Sequence, residues 1–212
     1  HHCLDALVAL PAWPEIAPAR RRLLMFAVLA HDFGKPATTA RAEKRGSLRW
    51  VSPGHEAAGG PLAIQFLRRI GAPLDHDAPV SALVTNHLAH HHGQGEFSAS
   101  SVRRLARKLH PATLDDLALV MRADANGRPP LPSPASHARI DELVAKAKDL
   151  AIADAAPRPI IFGRHLIALG LKPGPEFSRL TDAAFEAQLD GAFTDEAGGV
   201  QWLRAHLGLA GN

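Results

Sequence analysis

The chain has 212 residues, of which 46% are apolar and 21% charged, a globular composition that excludes wholesale disorder. One cysteine excludes a disulfide framework and fits a reducing cytoplasm, and no run approaches the roughly 18 apolar residues of a membrane span. Net charge is +3, so a polyanionic partner is allowed but not demanded. The unusual count is histidine, 13 residues against no tyrosine, which makes imidazole chemistry the first thing to look for.

In chain order, most segments carry the apolar period of a helix, and none alternates convincingly as a strand. Residues 4–10 form a short apolar helix ending at Pro11. A second helix runs from about Ala19 to Asp32, and Gly34 and Pro36 stop it. Residues 37–53 read as a basic, polar loop carrying Arg41, Lys44, Arg45 and Arg49, closed by Pro53 and Gly54. Helices follow over about His55–Ile70 and Ala78–His90. His91, His92 and the Gly93-Gln94-Gly95 stretch, with His90 before them, read as a solvated surface loop. Ser98 or Ser100 can cap a helix to Leu109. Thr113 can cap one to Asn126, with Asp115 and Asp116 suited to its first turn. Gly127 and the prolines 129, 130, 132 and 134 break the chain before a polar helix over about Ser136–Ala153. Asp154–Pro159 reads as a linker. The expected fold is all-α, a helical bundle over residues 1–153 followed by a small helical appendage over residues 160–212.

Several ionisable residues fall on faces that are otherwise apolar. His55 aligns with Ala58, Gly59 and Leu62, His87 with Val80, Leu83 and Val84, and Asp124 with Leu117, Val120 and Met121. His31 and Asp32 end the most hydrophobic run in the chain. A single histidine on such a face is ordinarily a satisfied core residue, and Asp124 alone could pair with Arg103 or Arg104. Five such residues on four helices are better explained by a shared interior metal site, because buried charge persists where it is paired or ligates a metal. Imidazole with carboxylate suits Mn, Fe, Co, Ni or Zn, and carboxylate with water suits Mg. With Cys3 alone in the chain, a thiolate zinc site is not expected.

The run His31-Asp32-Phe33-Gly34-Lys35 resembles the His-Asp doublet of the HD superfamily of metal-dependent phosphohydrolases. That family's wider pattern of a histidine, the doublet, two histidines and a distant aspartate is matched in order by His2, His31-Asp32, His55, His87 and Asp124. His2 is followed by Cys3 and Leu4 as in the family's first helix, with His1 adjacent. Pro53-Gly54-His55-Glu56, Val84-Thr85-Asn86-His87-Leu88 and Arg122 to Arg128 are similar to the HD domain of bacterial CCA-adding tRNA nucleotidyltransferases and poly(A) polymerases. Residues 159–177, Gln188-Leu189-Asp190-Gly191 and Trp202-Leu203 resemble the segment that follows it.

The resemblance implies one or two divalent ions sharing Asp32, with His2, His31 and Asp124 completing one site and His55 and His87 the other. It implies hydrolysis of a nucleotide or RNA-end phosphoester with Asp32 catalytic, while Lys35, three residues after Asp32, is placed either to meet a substrate phosphate as a point charge or to answer the dipole at the helix C-terminus. The alternative is a non-catalytic tRNA-positioning module with an idle metal site. The family's nucleotidyl-transfer head, which precedes the HD domain, has no counterpart here, so the chain is expected to be a fragment that does not add nucleotides by itself. Asp75-His76-Asp77 matches that head's metal motif only literally, without a strand before it.

A charge run is ordinarily a solvated face, but Arg103, Arg104 and Arg107 on one helix are a candidate strip for tRNA. Aromatic residues are only 5% of the chain, so RNA contact is expected through phosphates and shape rather than base stacking.

Overall fold

The computed structural model describes residues 1–44, 46–91, 95–127 and 133–209. The described residues are all-α apart from one two-stranded hairpin. They divide into two compact units, His1–Phe97 with Leu105–Ala156, and Ser98–Arg104 with Pro157–Asn212. Arg45, His92–Gln94 and Arg128–Pro132 lie outside the described residues, as does the end of the chain from position 210.

In the first unit the helices are α1 (His2–Val8), α2 (Pro18–Ala30), α3 (Lys35–Thr38), α4 (His55–Arg69), α5 (Asp77–Asn86), α7 (Leu114–Asn126) and α8 (Pro134–Asp149). Helix α6 (Ala99–Leu109) spans the boundary in sequence. Helix α2 packs on α1, α4, α5 and α7, which places its C-terminal end at the centre of the unit. The core is built from the apolar periods read above: Leu24, Val28, Leu83, Leu117, Met121 and Leu143 are all buried. The N-terminus of α7 is closed by a capping box. The Thr113 hydroxyl accepts from the Asp116 amide at 3.1 Å, and Asp116 accepts from the Thr113 amide at 3.0 Å. Buried Asp116 also receives Arg20 Nε at 2.5 Å, so one carboxylate serves both a helix cap and a link to α2.

The hairpin corrects the expectation of an irregular loop over residues 37–53. Strands β1 (Ala40–Lys44) and β2 (Ser47–Val51) pair antiparallel, with Arg41 opposite Trp50 and Glu43 opposite Leu48. Lys44 pairs with Ser47, and Gly46 takes the left-handed conformation that glycine accommodates without a steric penalty. Both faces are largely exposed, so no apolar alternation marks these strands in the sequence.

The second unit contains α9 (Gly163–Ala168), α10 (Glu176–Asp190) and α11 (Glu196–His206) around Ile161, Leu166, Leu180, Ala184, Phe193 and Leu203. The Asp195 carboxylate caps α11 by accepting from the Gly198 amide at 2.8 Å. Buried His165 caps α9, its Nδ1 accepting from the Phe162 amide at 2.8 Å.

Candidate metal centre

Four elements bring ionisable side chains to the middle of the first unit. Helix α2 ends at Ala30, and the turn His31–Gly34 lets two adjacent residues, His31 and Asp32, face the same place. Only glycine is compatible with position 34. A Cβ there would sit 2.0 Å from the His55 carbonyl oxygen and 2.9 Å from the Gly59 amide nitrogen, so the first turn of α4 rests directly on this turn. His55 opens α4, His87 follows the last residue of α5, and Asp124 lies in the last turn of α7. Just past that same end of α7, a Cβ on Gly127 would meet Cys3 Sγ at 2.2 Å, which is how closely α1 approaches.

The three imidazoles are held in the same way. Nδ1 of His31 lies 2.6 Å from the Val28 carbonyl, Nδ1 of His55 lies 2.7 Å from that of Ser52, and Nδ1 of His87 lies 2.7 Å from that of Val84. Each partner is three residues back, so each ring donates Nδ1–H to its own turn and turns Nε2 inward. Asp32 stands between them. Its Oδ2 lies 3.3 Å from His31 Nε2 and 2.6 Å from Lys35 Nζ, and its Oδ1 lies 3.4 Å from His55 Nε2. Asp124 Oδ1 is 3.4 Å from His31 Nε2. The His87 ring is 5.2 Å from those of both His31 and His55. Two ligand sets result, Asp32 with His55 and His87, and Cys3 with His31 and Asp124, each with donor atoms within 4.8 Å of one another.

The electrostatics favour a cation here. Burial opposes charging of the His31 ring, but Asp124 and Asp32 outweigh it and its pKa is pushed up to about 12. Asp32 is likewise held well below the usual carboxylate range: burial works against this, and His31 and Lys35 prevail. His87 goes the other way, to about 4, through burial reinforced by the charges of His31 and His55. Buried His31 Nε2 has no hydrogen bond of acceptable geometry although two carboxylates face it. An orphaned imidazole nitrogen between carboxylates fits a divalent ion, and so does the mixture of nitrogen and oxygen donors. The site is enclosed except on one side. His31, His55, His87 and Asp124 are buried, whereas the side chains of Asp32 and Lys35 remain 35% and 38% exposed.

Most of the residues expected at a metal site converge, and some do not. His31, Asp32, His55, His87 and Asp124 come together with Lys35 at their edge. His2 is exposed on α1, and its neighbour Cys3 is the residue that joins His31 and Asp124. Cys3 is four residues before fully buried Leu7 and shares its inward helical face, while His2 does not.

His90 is also misplaced by the sequence reading. It is buried rather than in a solvated loop, with Nδ1 3.0 Å from Met121 Sδ and its ring centroid 3.8 Å from that of His91, tilted by 41°. Two arginines of the strip, Arg103 and Arg104, are engaged within the second unit. Arg103 donates to the Leu189 carbonyl at 3.3 Å, and Arg104 donates to Asp190 at 2.6 Å and Glu186 at 3.2 Å. Arg107 also has a partner. Arg103 and Arg104 tie residues 98–104 to α10 instead of presenting a free cationic face.

Sequence comparison adds the context. The chain is 34% identical over 191 residues to an A-adding tRNA nucleotidyltransferase of Deinococcus radiodurans, a match covering 87% of this chain and 41% of that protein. It is 30% identical over 192 residues to a CC-adding tRNA nucleotidyltransferase of Thermus thermophilus, covering 90% of this chain and again 41% of the relative. The chain is similar to part of a tRNA nucleotidyltransferase. A third relative, a multifunctional CCA protein of Laribacter hongkongensis, is 34% identical over 108 residues, covering 49% of this chain and 25% of that protein. The chain thus spans about two fifths of the length of the first two. No family model matches it, and no solved structure does.

Proposed function

We propose that this chain is a metal-dependent phosphohydrolase domain that acts on a phosphoester at a nucleotide or RNA end, with tRNA as the macromolecular setting suggested by its relatives. One observation carries the reading: three imidazoles, each anchored through Nδ1 to the carbonyl three residues back, turn Nε2 toward two carboxylates in a mostly buried cleft.

In this reading His31, Asp32, His55, His87 and Asp124 hold the metal, with Cys3 beside them. A bound divalent ion supplies Lewis acidity and a nucleophilic water at neutral pH. The protein's own contributions follow from the geometry. Asp32 directs one oxygen toward each ligand set and so ties them together. Lys35, on the open side, offers a point charge to a substrate phosphate. The Nδ1–carbonyl bonds fix the rings, so binding a cation costs little reorganisation. Burial of the remaining ligands keeps bulk water away except where Asp32 and Lys35 face it.

Metal analysis of the purified chain, with a screen of phosphodiester and cyclic-nucleotide hydrolysis across Mg, Mn, Co and Ni, tests this reading. Asp32→Ala is expected to lose bound metal and at least about a hundredfold in turnover together. Full activity in that variant would end the proposal. Lys35→Ala is expected to keep its metal while turnover falls.

A second reading is favoured by the relatives' names, which state nucleotide addition and not hydrolysis. In it the domain positions tRNA and its metal cluster is structural. It predicts bound metal, no turnover with any of the four ions, and unchanged RNA affinity in Asp32→Ala. In both readings, nucleotide addition is assigned to the part of the relatives that this chain does not match.

A further inference from the structure

We propose that the β1–β2 hairpin is a binding arm for single-stranded RNA, with Trp50 as the stacking platform. The inference deepens the phosphoester reading and rests on it only for the identity of the ligand as RNA. The hairpin is otherwise unexplained. Its strands add nothing to the core, because both faces are in solvent, and an isolated two-stranded ribbon has little stability of its own.

Its side chains are sorted in a way that suits a strand of nucleic acid. Directly paired residues share a face, so Arg41, Trp50, Glu43 and Leu48 line one side, and Lys44 and Arg49 stand on the other. Trp50 is 70% exposed and Leu48 57%, an unusual pair of apolar side chains to leave in water on an arm without a core role. The Arg41 guanidinium lies over the Trp50 ring, 5.7 Å from its centroid, which leaves the ring mostly open and puts a cation where a nucleotide's phosphate could follow its base. Three basic residues, Arg41, Lys44 and Arg49, stand against one acidic residue, Glu43. An exposed indole beside Arg41, on an arm whose other face carries Lys44 and Arg49, favours a polyanion carrying unstacked bases over a purely apolar partner.

The arm is rooted at the candidate cleft. Thr39 and Ser52 join their hydroxyls at 2.8 Å across its base. Thr39 also donates to the Lys35 carbonyl at 2.7 Å, and the Ser52 carbonyl accepts from His55 Nδ1. Lys35 belongs to the exposed side of the cleft. Trp50 is therefore only two residues, about 7 Å of extended strand, from a residue that anchors a ligand-set histidine. A strand held by Trp50 has its end within reach of that opening.

The test is anisotropy of a fluorescein-labelled ten-nucleotide single-stranded RNA titrated with the full chain in EDTA, where no turnover occurs. Trp50→Ala is expected to weaken binding about tenfold and Trp50→Phe to recover most of it. Lys44→Glu with Arg49→Glu is expected to flatten the salt dependence by about one unit of slope. Circular dichroism of each variant checks that the helices are intact. The proposal is overturned if wild type binds no RNA, if Trp50→Ala binds it unchanged, or if a blunt RNA duplex competes as well as the single strand. It is equally overturned if the Trp50 variant changes only the sedimentation of the chain, which would make the arm a contact between copies. Because binding is read without metal, its loss is distinct from failure of the hydrolytic reading, which Asp32→Ala tests.

Discussion

The metal-centre turn at His31–Gly34 and the hairpin at residues 40–51 are nearly adjacent in sequence, yet they obey different constraints. In the turn, His31 Nδ1 is held by the Val28 carbonyl and Asp32 by Lys35 and His55, while buried His31 Nε2 faces the carboxylates of Asp32 and Asp124 without a hydrogen bond. In the hairpin, Arg41, Lys44, Leu48, Arg49 and Trp50 are exposed, and what holds the strands is their own ladder and a hydroxyl pair at the base. Where water is excluded, each group must be satisfied by the protein, so one substitution propagates. Where water is present, side chains are free to serve a ligand.

The comparison is broken most directly at Gly34. Gly34→Ala forces a Cβ into the His55 carbonyl and is expected to cost about 3 kcal/mol or to prevent folding, as measured by urea unfolding. Stability close to wild type would mean that the turn and α4 are not in the contact described.

A smaller effect is expected from pH. Burial, reinforced by His91, lowers His90 to about 4, and burial with His31 and His55 lowers His87 to about 4, against about 6.5 in the unfolded chain. Between pH 4 and 6.5 the unfolded state therefore binds protons that the folded state refuses, and stability falls as pH falls through that window. His31, whose folded value lies above its unfolded one, is protonated in both states over the lower part of that window and opposes the trend only near pH 6.5. In EDTA, His90→Gln is expected to remove roughly half of the pH dependence between 4 and 6.5, read from thermal unfolding at several pH values. An unchanged slope would show that His90 takes up its proton in the folded chain.

The smallest effect belongs to the hairpin. Trp50→Ala is expected to alter unfolding free energy by no more than about 0.5 kcal/mol, since its ring buries little. A loss of 2 kcal/mol or more would show that the arm stabilises the fold, and would erase the contrast drawn here.

Much of the architecture was legible because helices on a core leave a local imprint. Leu24, Ala27 and Val28, or Leu117, Val120 and Met121, repeat at helical spacing whatever they pack against, and Thr113 with Asp116 marks a helix start before any neighbour is known. His55, His87 and Asp124 stood out for the same reason, as ionisable groups on faces that are otherwise apolar. The hairpin left no such imprint, because strands wet on both faces need no alternation.

What the sequence by itself determined is where the core helices form, which faces they bury and that His55, His87 and Asp124 stand on those faces, since these follow from periodicity and capping within single segments. Only the tertiary structure decided that Cys3 rather than His2 joins His31 and Asp124, that His90 is interior, and that Arg103 and Arg104 are spent on α10. Each of these depends on how two elements distant in sequence approach: the rotation of α1 against the end of α7, the packing of the segment after α5 against Met121, and the seating of residues 98–104 on the acidic C-terminal turn of α10. A single segment carries no record of the rotation at which it will meet another, so those choices were made by packing.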